Sequence, residues 1–275
     1  MKEISNIKAF GVIGDPIAQS LSPDIHNFWI KKSNISAYYN KFHLQTKCAT
    51  EDIKALQRFD VQGLNVTMPY KEYAIRAAVN VSETAEKIGV ANTLKSTPLG
   101  WYADNTDAVG FLNALLSCLE NKDLTGKAIL LIGAGGAARA VAYILSKQNV
   151  DLTIVNRTVS KVDDLITELA PAAKSNSLSD LTNDMDAADI VVNATSLKAG
   201  LVDSIEFPDG NGRLFFDLSY GKAPEEILRK ASQSGWQTED GLRMLVEQAA
   251  LSHELWHGET PDVEAAYQMC QEKIR

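Results

Sequence analysis

The sequence predicts an α/β protein with two α/β lobes, and three observations lead to this fold class. Its 275 residues exceed the usual size of a single core but are enough for two small domains. Apolar runs alternate with segments of helical periodicity almost throughout the chain, which is typical of βαβ units. A glycine-rich turn joins an apolar run to a helical segment near the middle of the chain, which indicates where such a unit begins.

The spacing of apolar residues predicts each element in turn. Apolar runs predict strands at Ala9–Ile13, Tyr38–Leu44, Gly63–Val66, Ala91–Leu94, Ala128–Ile132, Leu152–Val155, Ile190–Asn193 and Leu214–Leu218. Apolar residues at intervals of three and four predict helices over 51–59, 71–79, 108–119, 137–148, 160–170 and 224–234, and Pro23 starts another helix. We expect parallel sheets, a seam at the polar stretch 120–127, and C-terminal helices, strongest over 242–256, that pack on the first lobe.

The composition favours a small-molecule partner. Hydrophobic residues make up 45% and charged residues 23% of the chain, as in an ordinary globular protein. The net charge of −8 repels nucleic-acid phosphate and anionic lipid, so we expect neither nucleic acid nor membrane as a partner. The N-terminus has no secretory h-region, and the longest apolar runs fall short of the roughly 20 residues that span a bilayer. We therefore expect a cytoplasmic protein.

Cys48, Cys118 and Cys270 are odd in number and far apart, and no CxxC pair occurs. This pattern favours neither a disulfide framework nor a thiolate metal site. We expect buried free thiols in a reducing compartment.

A nucleotide-binding turn follows the strand at Ala128–Ile132. Gly133, Gly135 and Gly136 permit a tight turn and close approach of backbone amides to a pyrophosphate at a helix N-terminus, while Ala138 permits close packing of helix on strand. The pattern opens a βαβ unit, which is the context that a Rossmann-like dinucleotide site requires. A glycine turn that serves packing alone does not explain three glycines in four positions.

The end of the next strand discriminates between the two nicotinamide cofactors. An acidic residue there would accept the ribose hydroxyls of NAD, but the strand ends in Asn156, Arg157 and Thr158. Lys161 follows one helical turn later, so two cations and polar donors are available to a 2′-phosphate. The pattern favours NADP over the alternative that Arg157 and Lys161 are ordinary solvated residues at the start of a helix.

Polar residues also follow the strands of the first lobe. Ser20 and Ser22 lie in the loop before Pro23, where two hydroxyls beside free amides can hold a carboxylate, although Ser22 is equally suited to cap the helix. Asn, Thr, Lys and Asp residues recur after later strands, in 63–71, 89–94 and 104–107. Because open α/β sheets bind ligands at the carboxyl ends of their strands, we expect these side chains to converge.

Taken in order, these segments closely resemble the shikimate dehydrogenase family over nearly the whole chain. The motifs that carry the resemblance are SLSPDIHN (20–27), NVTMPYK (65–71), ANTL (91–94), NTDAVGF (105–111), GAGGAARA (133–140), NRT (156–158), NATS (193–196), DLSYGKAP (217–224) and MLVEQAA (244–250). The resemblance implies a substrate-binding domain over 1–106, completed by helices in 243–275, and an NADP-binding Rossmann domain over 107–242. It implies a monomer or a homodimer.

The resemblance also implies residue roles. Lys71 and Asp107 would form the catalytic pair, and Ser20 and Ser22 would bind the substrate carboxylate. The substrate ring and its hydroxyls would contact Asn65, Thr67, Asn92, Tyr220 and Gln248. The cofactor would contact Gly133, Ala134, Gly135, Gly136, Ala137, Asn156, Arg157, Thr158, Lys161 and Thr195. The sequence leaves open whether Lys71 shuttles the proton or stays charged while Asp107 takes part in the transfer.

The implied activity is the reversible NADPH-dependent reduction of 3-dehydroshikimate to shikimate in chorismate biosynthesis. One alternative is a quinate/shikimate dehydrogenase with relaxed substrate or NAD use, but an acidic residue near Asn156 would then be expected. A second alternative is a non-catalytic nucleotide sensor, which the presence of both Lys71 and Asp107 argues against.

Three features fall outside the family pattern. Arg243 stands where relatives usually carry Gly, and Lys198 lies in a 197–200 loop without the usual early glycine. The segment from His253 to His257 matches H-E-x-x-H, a zinc-protease motif. That alternative lacks a downstream histidine as third ligand and leaves the dinucleotide unit unexplained.

Overall fold

The computed structural model of the chain describes residues 7–47, 49–195 and 205–274. Cys48 and the 197–200 loop with Lys198 lie outside these described residues. The chain forms two compact units, the first made of residues 1–110 and 245–275 and the second of residues 111–244.

The first unit is built on a six-stranded sheet. Its strands are β1 (Lys8–Gly14), β2 (Ala37–His43), β3 (Val61–Val66), β4 (Ala78–Val81), β5 (Thr93–Thr97) and β6 (Gly100–Asp104). They lie in the order β2-β1-β3-β5-β6-β4. The helices between them are α1 (Ser22–Lys32), α2 (Ala49–Arg58), α3 (Lys71–Ala77), α4 (Glu83–Ile88) and the start of α5 (Asp107–Ser117).

This first sheet is mixed, so the expectation of purely parallel sheets is wrong here. β1 pairs with β2 and β3 in parallel, but β5 runs antiparallel to both β3 and β6. Only residues 98 and 99 separate β5 from β6, and a connection this short can join only antiparallel neighbours. Gly100 begins β6 at a φ of +139°, a value that a residue with a side chain rarely adopts.

The second unit carries an all-parallel sheet, as the sequence predicts. Its strands are β7 (Ala128–Ile132), β8 (Asp151–Asn156), β9 (Lys174–Ser177), β10 (Ile190–Asn193), β11 (Leu214–Asp217) and β12 (Gln237–Glu239). They lie in the order β12-β11-β10-β7-β8-β9. The helices of this unit are α6 (Gly136–Leu145), α7 (Val159–Leu169), α8 (Leu181–Ala187) and α9 (Glu225–Gln233).

Two further helices, α10 (Leu242–His257) and α11 (Val263–Ile274), lead the chain back into the first unit. Trp29 of α1 anchors the segment before α11, because its indole Nε1 donates to the carbonyl oxygen of Asp262 at 2.9 Å. Arg243 occupies the first turn of α10, so a regular helix accommodates it where relatives usually carry Gly.

Burial follows the apolar pattern in both units. In the first unit, Ile53, Leu64, Leu94 and Trp101 are fully buried and form one core, and the Trp101 indole donates to the carbonyl of Ile53 at 2.9 Å. In the second unit, the strands β7, β10 and β11 are almost wholly buried because helices cover both faces of a parallel sheet. The hydrophobic effect therefore supports each unit through its own core.

Several of the elements that sequence patterning missed are short, and two of them are polar strands. β9 reads KSNS and β12 reads QTE, and both lie at the edges of the second sheet, where one side of the strand has no partner strand. Helices α4 and α8 span only 6 and 7 residues, too short to establish a 3.6-residue period.

The two described cysteines are free, but only Cys270 is buried and Cys118 is half-buried. Burial raises the pKa of the Cys118 thiol to about 12, so the thiol is protonated and unreactive at neutral pH. Among the helices that the structure describes, none combines the length and apolar character needed to cross a membrane.

Candidate active site

An ion pair between the first residues of two helices lies at the centre of the first-unit site. Lys71 begins α3 and Asp107 begins α5, and the distance from Lys71 Nζ to Asp107 Oδ2 is 2.5 Å. The side chains are only 18% and 9% exposed, so the pair is largely shielded from solvent. The helix N-terminus behind Asp107 favours its negative charge. The sequence prediction that Lys71 and Asp107 meet agrees with this geometry.

Asn92 connects this pair to helix α10. Its Nδ2 lies 2.8 Å from Asp107 Oδ1, 2.9 Å from Thr106 Oγ1 and 3.1 Å from Gln248 Oε1. Its Oδ1 accepts from the Thr106 backbone N–H at 2.8 Å, which fixes the orientation of the amide. Both oxygens of Asp107 are therefore engaged, one by Lys71 and the other by Asn92, so the carboxylate has a fixed direction.

A second polar layer lies next to Asn92. Asn65, at the end of β3, places its Nδ2 2.9 Å from Ser252 Oγ and 3.2 Å from Thr93 Oγ1. Ser252 Oγ lies a further 2.8 Å from Thr93 Oγ1 and 3.2 Å from Thr106 Oγ1. Ser252 follows Gln248 by one turn of α10, so the bonds of Ser252 fix the position of α10 and keep the Gln248 side chain beside Asn92.

Ser20 and Ser22 form a hydroxyl pair before α1. Ser20 Oγ donates to Ser22 Oγ at 3.2 Å and accepts from the Ser22 backbone N–H at 3.3 Å. The alternative that Ser22 caps the helix is wrong, because Leu21 occupies the N-cap position and no side-chain cap bond is made. The hydroxyl of Ser22 is thus not needed to cap the N-terminus of α1.

Two other predicted substrate residues occupy different surroundings. Thr67 follows β3, and its Cγ2 lies so close to Gly14 that a Cβ on Gly14 would approach it to 2.4 Å. Glycine at position 14 therefore allows Thr67 to approach the end of β1. Tyr220 lies half-buried in the loop after β11, in the second unit.

The glycine turn of the second unit has the conformation that its sequence requires. Gly133 follows β7 with a φ of +122°, and an added Cβ would lie 2.9 Å from Thr195 Cγ2, so neither the backbone nor the space accepts a side chain. Gly135 caps α6, and among the described residues other than its chain neighbours and the backbone of α6, no atom lies within 4 Å of the position that a Cβ would take. Ala134 and Ala137 beside these glycines are half-buried, and Ala138 is fully buried against the sheet. The turn has the open amide-lined surface that a pyrophosphate needs.

The other predicted cofactor residues lie at the end of β8 and the start of α7. Asn156 donates from Nδ2 to the carbonyl of Thr158 at 3.2 Å, which folds the strand end toward the helix. Arg157, Thr158 and Lys161 are exposed, and neither cation forms an ion pair with a residue that the structure describes. The first turn of α7 contains no acidic residue. These residues fit the 2′-phosphate of NADP, which would supply the missing negative charge.

Sequence reasoning missed several residues that shape these sites. Tyr39 donates a hydrogen bond to Asn65, and Ser252 accepts one from it. Nothing in the sequence around Tyr39 or Ser252 predicts these contacts. Asn193 and Asp217 lie within the NATS and DLSYGKAP motifs, where a role for them could have been recognised. Asn193 donates to Asp217 at 2.6 Å and accepts from the Thr195 hydroxyl at 2.7 Å, so it holds Thr195 beside the glycine turn. Burial raises the pKa of the Asp217 carboxyl.

The H-E-x-x-H segment lies in α10, with His253 fully buried and its ring centroid 4.4 Å from that of His257. Among the described residues, no group of three His, Cys, Asp or Glu side chains is arranged to hold a metal ion. The histidines instead pack against aromatic rings, including Phe10 and Trp29. The zinc-protease alternative thus has no structural support.

Comparison with known proteins gives a consistent result over both units. Residues 12–94 match the family model of the shikimate dehydrogenase substrate binding domain. Residues 116–234 match the shikimate / quinate 5-dehydrogenase model, and residues 241–268 match the shikimate 5′-dehydrogenase C-terminal domain model.

Individual relatives extend over nearly the full chain. The NADP⁺-dependent shikimate dehydrogenase of Hyphomonas neptunium is 43% identical over 96% of this chain and 97% of its own. That of Methanocella arvoryzae is 37% identical over 93% of this chain and 95% of its own. The crystal structure of shikimate 5-dehydrogenase from Thermus thermophilus, in complex with NADP(H) and shikimate, is 30% identical with a TM-score of 0.84, covering 98% of this chain and 100% of that one.

Proposed function

This chain belongs to the shikimate dehydrogenase family, and on that basis we propose that it catalyses the reversible NADPH-dependent reduction of 3-dehydroshikimate to shikimate in chorismate biosynthesis. The observation that carries the proposal is the shielded Lys71–Asp107 pair, bonded through Asn92 to Gln248. A non-catalytic nucleotide sensor would have no use for an ion pair held in this way. The enzyme is an NADP-dependent oxidoreductase acting on a CH–OH group.

Lys71 and Asp107 provide the path for the proton. Oxidation of a ring hydroxyl removes a hydride from carbon and a proton from oxygen, and the reverse reaction returns both. NADP supplies the hydride chemistry when bound. In the direction of reduction, the Lys71 ammonium, whose position is set by Asp107, stabilises negative charge on the reacting oxygen and gives it a proton. In the direction of oxidation, the neutral Lys71 amine takes that proton back.

We assign the remaining first-unit residues to substrate binding. Ser20 and Ser22 bind the carboxylate through their hydroxyls, whose oxygens lie 3.2 Å apart, since each hydroxyl can rotate its one proton toward a carboxylate oxygen. Asn65, Thr67, Asn92 and Gln248 surround the ring and its hydroxyls. The substrate domain spans 1–106 with 243–275.

We assign the NADP site to the second unit, within a domain spanning 107–242. Gly133, Ala134, Gly135, Gly136 and Ala137 present backbone amides to the pyrophosphate, with Thr195 held against the turn by Asn193. The adenosine 2′-phosphate is bound by Asn156, Arg157, Thr158 and Lys161. These four residues offer charge-assisted donors without a competing carboxylate in the first turn of α7.

We place the enzyme in the cytoplasm, where a reducing environment keeps Cys118 and Cys270 free. We expect it to be a monomer or a homodimer, which light scattering of the purified protein will distinguish.

The alternative activity is that of a quinate/shikimate dehydrogenase with relaxed substrate or NAD use, and one assay separates the two. Reduction of the nicotinamide is followed by absorbance with shikimate or quinate, each with NADP or NAD. We expect kcat/KM with NADP to exceed kcat/KM with NAD by at least about tenfold, because β8 is followed by Arg157 and Lys161 rather than by an acidic residue. We also expect shikimate to be turned over faster than quinate. Equal or faster turnover of quinate with NAD would contradict the proposal.

A further inference from the structure

Tyr39, in the edge strand β2, contacts Asn65 of the proposed substrate site. The residue is only 3% exposed. Its hydroxyl donates to Asn65 Oδ1 at 2.8 Å, and the hydroxyl also interacts with the side chain of Ser22. Tyr39 thus lies between a residue assigned to the substrate carboxylate and one assigned to the substrate ring.

The hydroxyl of Tyr39 acts as a hydrogen-bond donor to Asn65. Burial raises the pKa of Tyr39 well above its usual value, so the phenol remains neutral and keeps its proton. That proton is the one donated to Asn65 Oδ1.

The hydrogen bond from Tyr39 determines which way the Asn65 amide points. An asparagine amide has nearly the same shape when its oxygen and nitrogen are exchanged, so its partners alone define its orientation. The Tyr39 donor requires the oxygen of Asn65 on its side. The amide nitrogen then faces Ser252 Oγ and Thr93 Oγ1, both of which can accept.

The ring of Tyr39 is held independently of its hydroxyl. Asn27 of α1 donates from Nδ2 to the Tyr39 carbonyl at 2.8 Å and accepts from the Tyr39 backbone N–H at 2.9 Å. The His26 ring stacks on the phenol with centroids 4.3 Å apart and planes 9° apart. Removing the hydroxyl therefore leaves the ring and the strand in place.

We propose that Tyr39 is a positioning residue for shikimate, whose hydroxyl orients the Asn65 amide. This inference rests on the proposed function, and it adds a residue that does not itself touch the substrate. Tyr39 acts on substrate affinity through Asn65, and it has no contact with Lys71 or Asp107 among the described bonds.

The first test compares Tyr39→Phe with Tyr38→Phe. Tyr38 is the neighbouring residue on β2 and is 46% exposed, so its variant controls for loss of a phenol hydroxyl at the same strand. We expect Tyr39→Phe to raise KM for shikimate about three- to thirtyfold, with kcat and KM for NADP within about twofold of wild type. Tyr38→Phe should leave all three constants unchanged.

A purely structural role gives a different result. It would lower the melting temperature and the fraction of active enzyme while KM for shikimate stays at the wild-type value, and that outcome would overturn the proposal. If wild-type enzyme does not oxidise shikimate, the proposed function fails instead. The wild-type assay therefore separates the two failures.

The second test is a double-mutant cycle with Asn65→Ala. If Tyr39 acts through Asn65, Tyr39→Phe should change KM for shikimate by less than about twofold once Asn65 is absent. An undiminished effect in that background would overturn the proposal. Asn65→Ser replaces Asn65→Ala if the alanine variant does not fold, since serine also removes the amide oxygen that accepts from Tyr39.

Discussion

The two proposed binding regions are built in opposite ways. The first-unit site joins residues far apart in the sequence, and the bond from Asn92 to Gln248 alone spans 156 positions. The glycine turn of the second unit is continuous, since Gly133, Gly135 and Gly136 form one strand-to-helix connection. The first region is a buried network in which each group fixes the next. The second is an exposed surface whose cations have no described ion-pair partner.

This difference determines how substitutions combine. In a buried network, removing one group changes the orientation and solvation of its partners, so effects are not additive. At an exposed surface, each contact is made to the ligand separately, so its loss affects only that contact. We therefore expect strong coupling among first-unit variants and independence for second-unit variants.

Breaking the Lys71–Asp107 pair should have the largest effect. Lys71→Met and Asp107→Asn each preserve side-chain size, and each should lower kcat by about 10²–10⁴ because a positioned acid/base group is lost. Steady-state kinetics with saturating shikimate and NADP measures this. Lys54→Met removes an exposed lysine of the same unit, paired to Glu51 at 3.4 Å, and should change kcat by less than about twofold.

The double variant tests the network more sharply than either single variant. The losses in kcat from residues that act as one unit do not multiply, so the double variant should have a kcat only slightly below that of the slower single variant. If the two losses multiply instead, Lys71 and Asp107 act independently, and one of them is a binding residue.

The same contrast explains what the sequence can predict. β7 and β10 match their predicted bounds to the residue, because continuous apolar strands between turns give a strong local signal. The glycine turn is likewise local. The pairing of Lys71 with Asp107 required the family resemblance, since nothing in either segment indicates the partner. Ser20 and Ser22 suggested a carboxylate site from their own loop, but only the resemblance favoured that role over a helix cap for Ser22.

Tyr39 and Ser252 remained unpredicted for a physical reason. A tyrosine in a strand and a serine in an amphipathic helix have ordinary roles at those positions. Their importance comes from meeting Asn65, which lies 26 and 187 positions away. The antiparallel position of β5 was missed in the same way, because the pattern of one strand does not specify its neighbour's direction.

Arg157→Ala tests the exposed region and should have the next largest effect. Loss of one charge-assisted contact to the 2′-phosphate should raise KM for NADP about ten- to hundredfold, while KM for NAD changes by less than about twofold. Arg229→Ala removes an exposed arginine of α9, bonded to Gln233, and serves as the matched control. An equal rise in KM for NADP and for NAD would show that Arg157 does not contact the 2′-phosphate.

Ser22→Ala should give a smaller change, of about tenfold, in KM for shikimate with kcat nearly constant. A carboxylate remote from the reacting carbon is held similarly in the ground and transition states, so its binding group affects KM. The melting temperature should change little, because Ser22 is not the helix cap. In the double variant with Arg157→Ala, the rise in KM for shikimate and the rise in KM for NADP should each be the same as in the single variants. A strong dependence of one on the other would show that the exposed region is coupled to the buried network.

The smallest expected effect concerns the histidines behind the first-unit network. Burial lowers the pKa of His257 to about 4, with the charges of His253 and Lys8 acting in the same direction and Glu259 opposing. Burial also lowers the pKa of His26 and of His253, and it outweighs the opposing interactions of His26 with Asn65 and of His253 with Glu259.

The sign of the pH dependence follows from these directions. Above about pH 6.5 the histidines are neutral in the folded and unfolded chains, and they contribute no pH dependence. As the pH falls below about 6.5, the unfolded chain binds protons that the folded chain resists, so the free energy of unfolding decreases until the pH reaches the folded value, about 4 for His257. Urea unfolding of wild type and His257→Leu between about pH 7 and pH 5 measures this. The variant should lose stability less steeply, and an identical slope would show that His257 titrates normally in the folded protein.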